Sequence, residues 1–76
     1  MPAGRGTWPA LWMLGDNIGT AGWPACGEID IMEHTGNNLN KVLGTLHYPG
    51  RSGGNADSSS KTISNATTEF HIYSID

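Results

Sequence analysis

The sequence predicts an all-β chain, and three observations predict it. Apolar residues recur with a period of two rather than 3.6, the segments that carry this period are separated by clusters of Gly, Pro, Asn and Asp, and no stretch has the spacing of an amphipathic helix. In the first such segment Trp8, Ala10, Trp12 and Leu14 share one face, with Pro9, Leu11 and Met13 on the other. Residues 15–24 include Gly15, Asp16, Asn17, Gly19, Gly22 and Pro24, a breaker-rich composition that predicts a loop. A second strand is expected through residues 28–33, then a turn at Gly36-Asn37-Asn38 and a third strand over 41–48. Residues 49–67 are rich in Gly, Ser and Asn without periodicity and read as one long loop; alternation returns in a final strand over 69–76. No internal repeat is present.

The second strand carries the chemistry. Gly27-Glu28-Ile29-Asp30-Ile31-Met32-Glu33-His34 puts three carboxylates into six positions with apolar residues between them, and neither Lys nor Arg occurs between Arg5 and Lys41. On an α-helix, at about 100° per residue, the three acids would point in three directions. On a strand Glu28 and Asp30 share a face while Ile29 and Ile31 take the other. Strict alternation sends Glu33 to the wrong side, so a β-bulge around Ile31-Met32, one extra residue, is expected to return it to the acidic face. Glu28 and Glu33 then stand about four strand steps apart, roughly 13 Å between Cα atoms. Leaning together, two glutamates close this to a carboxyl separation of about 5 Å, the spacing of a retaining glycosidase. Three neighbouring carboxylates do not all ionise easily, so their pKa values split and leave one protonated acid beside one ionised nucleophile. Charge alone does not say which glutamate is which.

The motif Glu28-Ile29-Asp30-Ile31-Met32-Glu33 resembles the E-x-D-x-x-E signature of glycoside hydrolase family 16, in its laminarinase-like (endo-1,3-β-glucanase) branch. The likeness extends along the chain. Gly6-Thr7-Trp8-Pro9-Ala10-Leu11-Trp12-Met13-Leu14 resembles the tryptophan-bearing strand upstream of the catalytic strand, and Trp23-Pro24-Ala25-Cys26-Gly27 resembles the lead-in to the motif. Downstream, Gly44-Thr45-Leu46-His47-Tyr48 and Glu69-Phe70-His71-Ile72-Tyr73-Ser74-Ile75 follow family strands in the same order.

The resemblance implies a β-jelly-roll sandwich, concanavalin A-like, with a glucan-binding cleft on its concave sheet. It implies Glu28 as nucleophile, Glu33 as general acid/base and Asp30 as the group that sets the protonation of its neighbours, with Trp8, Trp12, Trp23 and His47 toward the substrate. A shorter, bulge-free form of the motif occurs in lichenase-like and xyloglucan-acting members. The longer form here favours β-1,3-glucan, although agar- and carrageenan-cleaving members share it; mixed-linkage glucan, agar and carrageenan are the alternative substrates. Non-catalytic glucan-binding members of the family have lost one or more of the acids, and this chain keeps all three. A retaining endo-hydrolase is therefore expected, with a glucan-binding module on the same fold as the rival.

An all-β domain of this kind commonly runs to about 200 residues. Residues 1–76 are accordingly expected to be part of a larger catalytic domain, incomplete at both ends. Charged residues make up 14% of the chain, against about 25% in typical domains. With Gly, Ser, Thr and Asn abundant, this composition fits an extracellular β-protein. The net charge of −3 argues against nucleic acid, which requires a basic patch. No apolar stretch approaches the ~20 residues of a membrane span. Cys26 is the only cysteine, so no internal disulfide forms. A monomer acting on a polysaccharide, without cofactor, is expected; the resemblance allows a structural calcium ion in a longer parent, held by residues outside this chain.

Each feature also has a plainer reading. The acids would then be a solvated strand face, or with His34 would hold Ca²⁺ or Zn²⁺; calcium loops, however, usually place Gly and Asn between their ligands rather than Ile-Asp-Ile-Met. Tryptophans serve equally as core residues or as apolar platforms for sugar C–H surfaces, and Trp12, sharing a face with Trp8, is the better candidate for the second role. His47 reads as a cleft residue or a structural histidine.

Overall fold

A computed structural model describes all residues 1–76. Four strands, β1 (Ala10–Leu14), β2 (Glu28–His34), β3 (Lys41–His47) and β4 (Asp57–Thr62), form one antiparallel sheet in the order β1-β2-β3-β4. The 15–24 segment is a loop that contains a single helical turn, Ile18–Ala21. It returns the chain so that the Gly15 N–H donates to the Gly27 carbonyl at 3.0 Å. Only glycine fits at position 15, because a Cβ there would lie 2.0 Å from the Cys26 carbonyl oxygen.

The register sorts side chains into two faces. Leu14 pairs with Glu28 and Glu28 with His47; Trp12 pairs with Asp30 and Asp30 with Thr45; Ala10 pairs with Glu33 and Glu33 with Leu43. These three rows form the acidic face. On the opposite face Met13, Ile29 and Leu46 form an apolar row. The predicted alternation of β1 and β2 therefore holds.

Two expected segments differ. Residues 49–67 are not one loop: the chain turns at Tyr48-Pro49-Gly50-Arg51, makes a 3₁₀ turn at Gly53–Asn55 and then runs as β4 alongside β3. The β4 sequence Asp57-Ser58-Ser59-Ser60-Lys61-Thr62 contains no apolar residue, so periodicity carries no trace of it. Its strand conformation comes from completing the backbone ladder of β3, and a short polar strand suits a sheet edge. Conversely, residues 69–76 form no strand, and Phe70 and Ile72 are fully exposed. Their alternation is a strand pattern, but no other strand of this chain pairs with it.

Of the five buried residues, Asp30, Met32 and His34 belong to β2 and Gly36 follows it closely, so the centre of burial is the acid-bearing strand itself. The apolar face is largely uncovered. Leu11, Met13 and Leu46 are exposed, and Ile29, Ile31, Leu46 and Ile75 border a hollow of about 530 Å³ on that side. A sheet with one apolar face is stable only when a second layer buries it. Expressed by itself, the 76-residue chain is predicted to lack a cooperative thermal transition and to bind apolar dyes or aggregate; a sharp calorimetric transition would contradict this.

Candidate active site

The acidic face owes its arrangement to one surplus residue. From Glu28 to Glu33 β2 advances five positions, whereas the paired positions advance four on β1, from Leu14 to Ala10, and four on β3, from His47 to Leu43. The excess lies at Ile31-Met32, where the ladder register shifts on both sides. A bulge placed there reverses the parity of the strand, so that Glu33 faces the same way as Glu28 and Asp30.

Each acid is held by a different neutral donor. The Trp23 indole Nε1–H donates to Glu28 Oε1 at 3.0 Å. The Trp8 indole Nε1–H donates to Glu33 Oε2 at 2.9 Å. His47 Nε2 lies 2.9 Å from Asp30 Oδ2 and 3.7 Å from Glu28 Oε2. Trp8 stands just ahead of β1, Trp23 in the loop before β2 and His47 at the end of β3, so three separate stretches of chain converge on one strand. The resulting cleft, about 500 Å³, is lined by the three acids, Trp8, Trp23 and His47, and is closed on one side by Gly53 and Gly54. Trp12 extends the same surface beside Trp8 and Ala10 and remains half exposed.

Asp30 is the electrostatic centre. Only 4% of its surface is exposed, and its pKa is pushed up from 3.8 to about 7. Burial is the main cause; a hydrogen bond shared with Glu28 and the charges of Glu28 and Glu33 add to it, while the hydrogen bond from His47 opposes it. Protonated, Asp30 shares that hydrogen bond with the neighbouring Glu28 carboxyl.

Of the residues singled out in the sequence, Glu28, Asp30, Glu33, Trp8, Trp12, Trp23 and His47 all lie on this face. His34 does not join them. It is completely buried and its Nε2–H donates to the Leu39 carbonyl at 2.9 Å. The histidine beside the acids is His47, and the ligand-type atoms of Glu28, Asp30 and His47 lie within 4.8 Å of one another. The Nδ1 of His47 is taken up by the Gly53 N–H at 3.1 Å, which leaves Nε2 facing the Asp30 and Glu28 carboxyls. Sequence reading missed Gly53, although Tyr48-Pro49-Gly50-Arg51 carried a turn signal in its Pro-Gly pair.

Comparison with known proteins places the chain in a family. A sequence profile described as "XgeA-like, catalytic GH16 domain" matches residues 1–75. The chain belongs to glycoside hydrolase family 16, and its sheet matches the jelly-roll structures of that family. It is 48% identical over 80 residues to a protein from Rhodothermus marinus named Beta-glucanase, covering all of this chain and 28% of that protein. The laminarinase from Flavobacterium sp. UMI-01 superposes with a TM-score of 0.92 at 44% identity, over 96% of this chain and 32% of the other. A Beta-1,3-glucan-binding protein from Penaeus monodon is 48% identical over 54 residues, 63% of this chain and 15% of that protein. The chain thus spans less than a third of the length of these relatives.

The raised pKa of Asp30 has a consequence for stability. In the unfolded chain Asp30 loses its proton near pH 3.8, in the folded one near 7, so the folded state binds more protons between these values. The stabilisation from Asp30 is complete below about pH 4 and falls as pH rises toward 7. Replacing Asp30 with Asn removes that loss, so the Tm of the Asp30→Asn variant relative to the native protein is predicted to climb across this window. Thermal melts of the intact protein at pH 4 to 8 check it; two parallel curves would contradict it.

Proposed function

We propose that this chain is the catalytic segment of a larger domain, extracellular and monomeric, that hydrolyses β-1,3-glucan internally with retention of configuration. The observation that carries this reading is the bulged strand. It presents Glu28 and Glu33 on one face with the buried Asp30 between them, and each glutamate has its own indole donor.

In this mechanism Glu33 donates its proton to the departing glycosidic oxygen while a Glu28 carboxylate oxygen attacks the anomeric carbon from the opposite side of the ring. The bond to the leaving sugar breaks as the Glu28 ester forms. Glu33, now ionised, takes a proton from water, and that water displaces Glu28 to release the second product. Asp30 holds Glu28 through its own proton, so the attacking oxygen is fixed without being neutralised. Trp12 and Trp8 offer exposed apolar surface beside the acids for the C–H faces of bound sugars. The longer motif and the Flavobacterium laminarinase support β-1,3-glucan over mixed-linkage glucan, agar or carrageenan.

The second reading, glucan binding without cleavage, draws on the Penaeus monodon relative. Retention of all three acids supports the enzyme. In the intact protein Glu28→Gln is predicted to lower kcat on laminarin by at least about 1,000-fold, and unchanged turnover would exclude Glu28 as nucleophile. Glu33→Ala should retain activity only toward substrates with good leaving groups and regain rate with azide. Proton NMR of the first products should show the β-anomer, because the carboxyl spacing of about 5 Å that double displacement requires leaves no room for a water opposite the leaving group. Initial α-anomer would exclude double displacement, and binding of laminarin with no products at all would establish the binding module.

A further inference from the structure

The connection between β3 and β4 reaches into the acidic cluster through a single backbone amide. After His47 the chain reverses at Tyr48-Pro49-Gly50-Arg51, where the Tyr48 N–H donates to the Arg51 carbonyl at 2.8 Å and the Arg51 N–H returns to the Tyr48 carbonyl at 2.9 Å. Gly50 at φ 91° supplies the positive dihedral that a Pro-Gly turn of this type needs. The next turn is tied from several directions. Arg51 Nε donates to the Asn55 carbonyl at 2.7 Å, and its guanidinium meets Asp57 Oδ1 at 2.8 Å. The Tyr48 hydroxyl donates to the other oxygen of Asp57. The Ser52 N–H donates to Asn55 Oδ1 at 3.1 Å, while Asn55 Nδ2 donates to the Gly50 carbonyl at 3.3 Å. This framework aims the Gly53 N–H at His47 Nδ1, 3.1 Å away.

That contact decides which nitrogen of His47 carries hydrogen. A ring nitrogen that accepts an N–H has no proton of its own, so in the neutral ring the proton sits on Nε2, facing Asp30 Oδ2. The other tautomer would set two N–H groups against each other at Gly53 and a lone pair against the Asp30 carboxyl. Both nitrogens are thus engaged by the protein, and the Trp23 ring packs against the imidazole with centroids 5.4 Å apart. The groups that face the imidazole are Glu28 and Asp30 from β2, Trp23 and the Gly53 backbone; Arg51 and Asp57 are paired with each other.

We infer that His47 is a positioning residue rather than a sugar contact: the 48–57 connection locks it in the Nε2–H tautomer, and through Asp30 this lock orients the attacking carboxylate of Glu28. The inference rests on the role proposed for Glu28, but its first test does not.

Long-range proton–nitrogen NMR of the intact native protein should show His47 protonated at Nε2 and bare at Nδ1. A proton on Nδ1 would overturn the inference whatever the fate of the glutamate assignment. In kinetics on laminarin, His47→Ala should lower kcat about 10–100-fold with KM little changed. His47→Gln, whose amide can donate and accept but cannot take a second proton, should recover most of that loss. Asn55→Ala, which loosens the turn without touching the cleft, should lower kcat several-fold and broaden the His47 tautomer signal. A rise in KM at constant kcat in His47→Ala would show a direct sugar contact and overturn the proposal, as would equal loss in the Gln and Ala variants.

Discussion

The acidic face exists because β2 contains one residue more than its neighbours can match. Without the surplus at Ile31-Met32, Glu33 would fall among Ile29 and Ile31 on the apolar side, where an ionisable group is costly. With it, Glu28 and Glu33 are brought onto one surface across four paired positions of β1 and β3. Everything else in the site follows from that register: Trp8 lies ahead of the Ala10–Glu33 pair, Trp12 faces Asp30, and His47 pairs with Glu28.

The choice of partners for the acids is as informative as their position. Indole and imidazole N–H groups hold Glu28, Asp30 and Glu33, and no Lys or Arg enters the cluster. A neutral donor fixes an oxygen without neutralising its charge, whereas a close cation would favour the ionised form and blunt a carboxylate needed as nucleophile or proton donor. The cost falls on Asp30, the most deeply buried of the three, which remains protonated to about pH 7. The Arg51–Asp57 pair, about half exposed on both sides, sits outside the cluster and shapes the turn behind it.

The sequence displayed the site more fully than the sheet. Parity alone required the bulge between Asp30 and Glu33, because five steps on a two-residue period reverse a side chain. The first three strands were legible from alternating apolar residues. β4 was not, since Asp57-Ser58-Ser59-Ser60-Lys61-Thr62 becomes a strand through backbone pairing with β3 and buries no side chain that would mark it. Residues 69–76 show the reverse: Phe70 and Ile72 alternate as a strand requires, yet pairing is a property of a neighbour and not of the segment. The indole bonds were beyond reach for a related reason. Trp8 meets Glu33 across 25 positions, and the choice between packing and hydrogen bonding depends on an approach angle that spacing does not encode.

The claim on which the account rests is that Glu28 forms the covalent bond to the sugar. Incubating the intact protein with a 2-deoxy-2-fluoro β-1,3-linked oligoglucoside bearing a good leaving group slows release of the intermediate, so that mass spectrometry of the digested protein locates the label. One glycosyl group is predicted on the peptide containing Glu28, attached at that residue and lost in Glu28→Gln. Label at Glu33 or Asp30, or hydrolysis that proceeds with no trapped species, would contradict it.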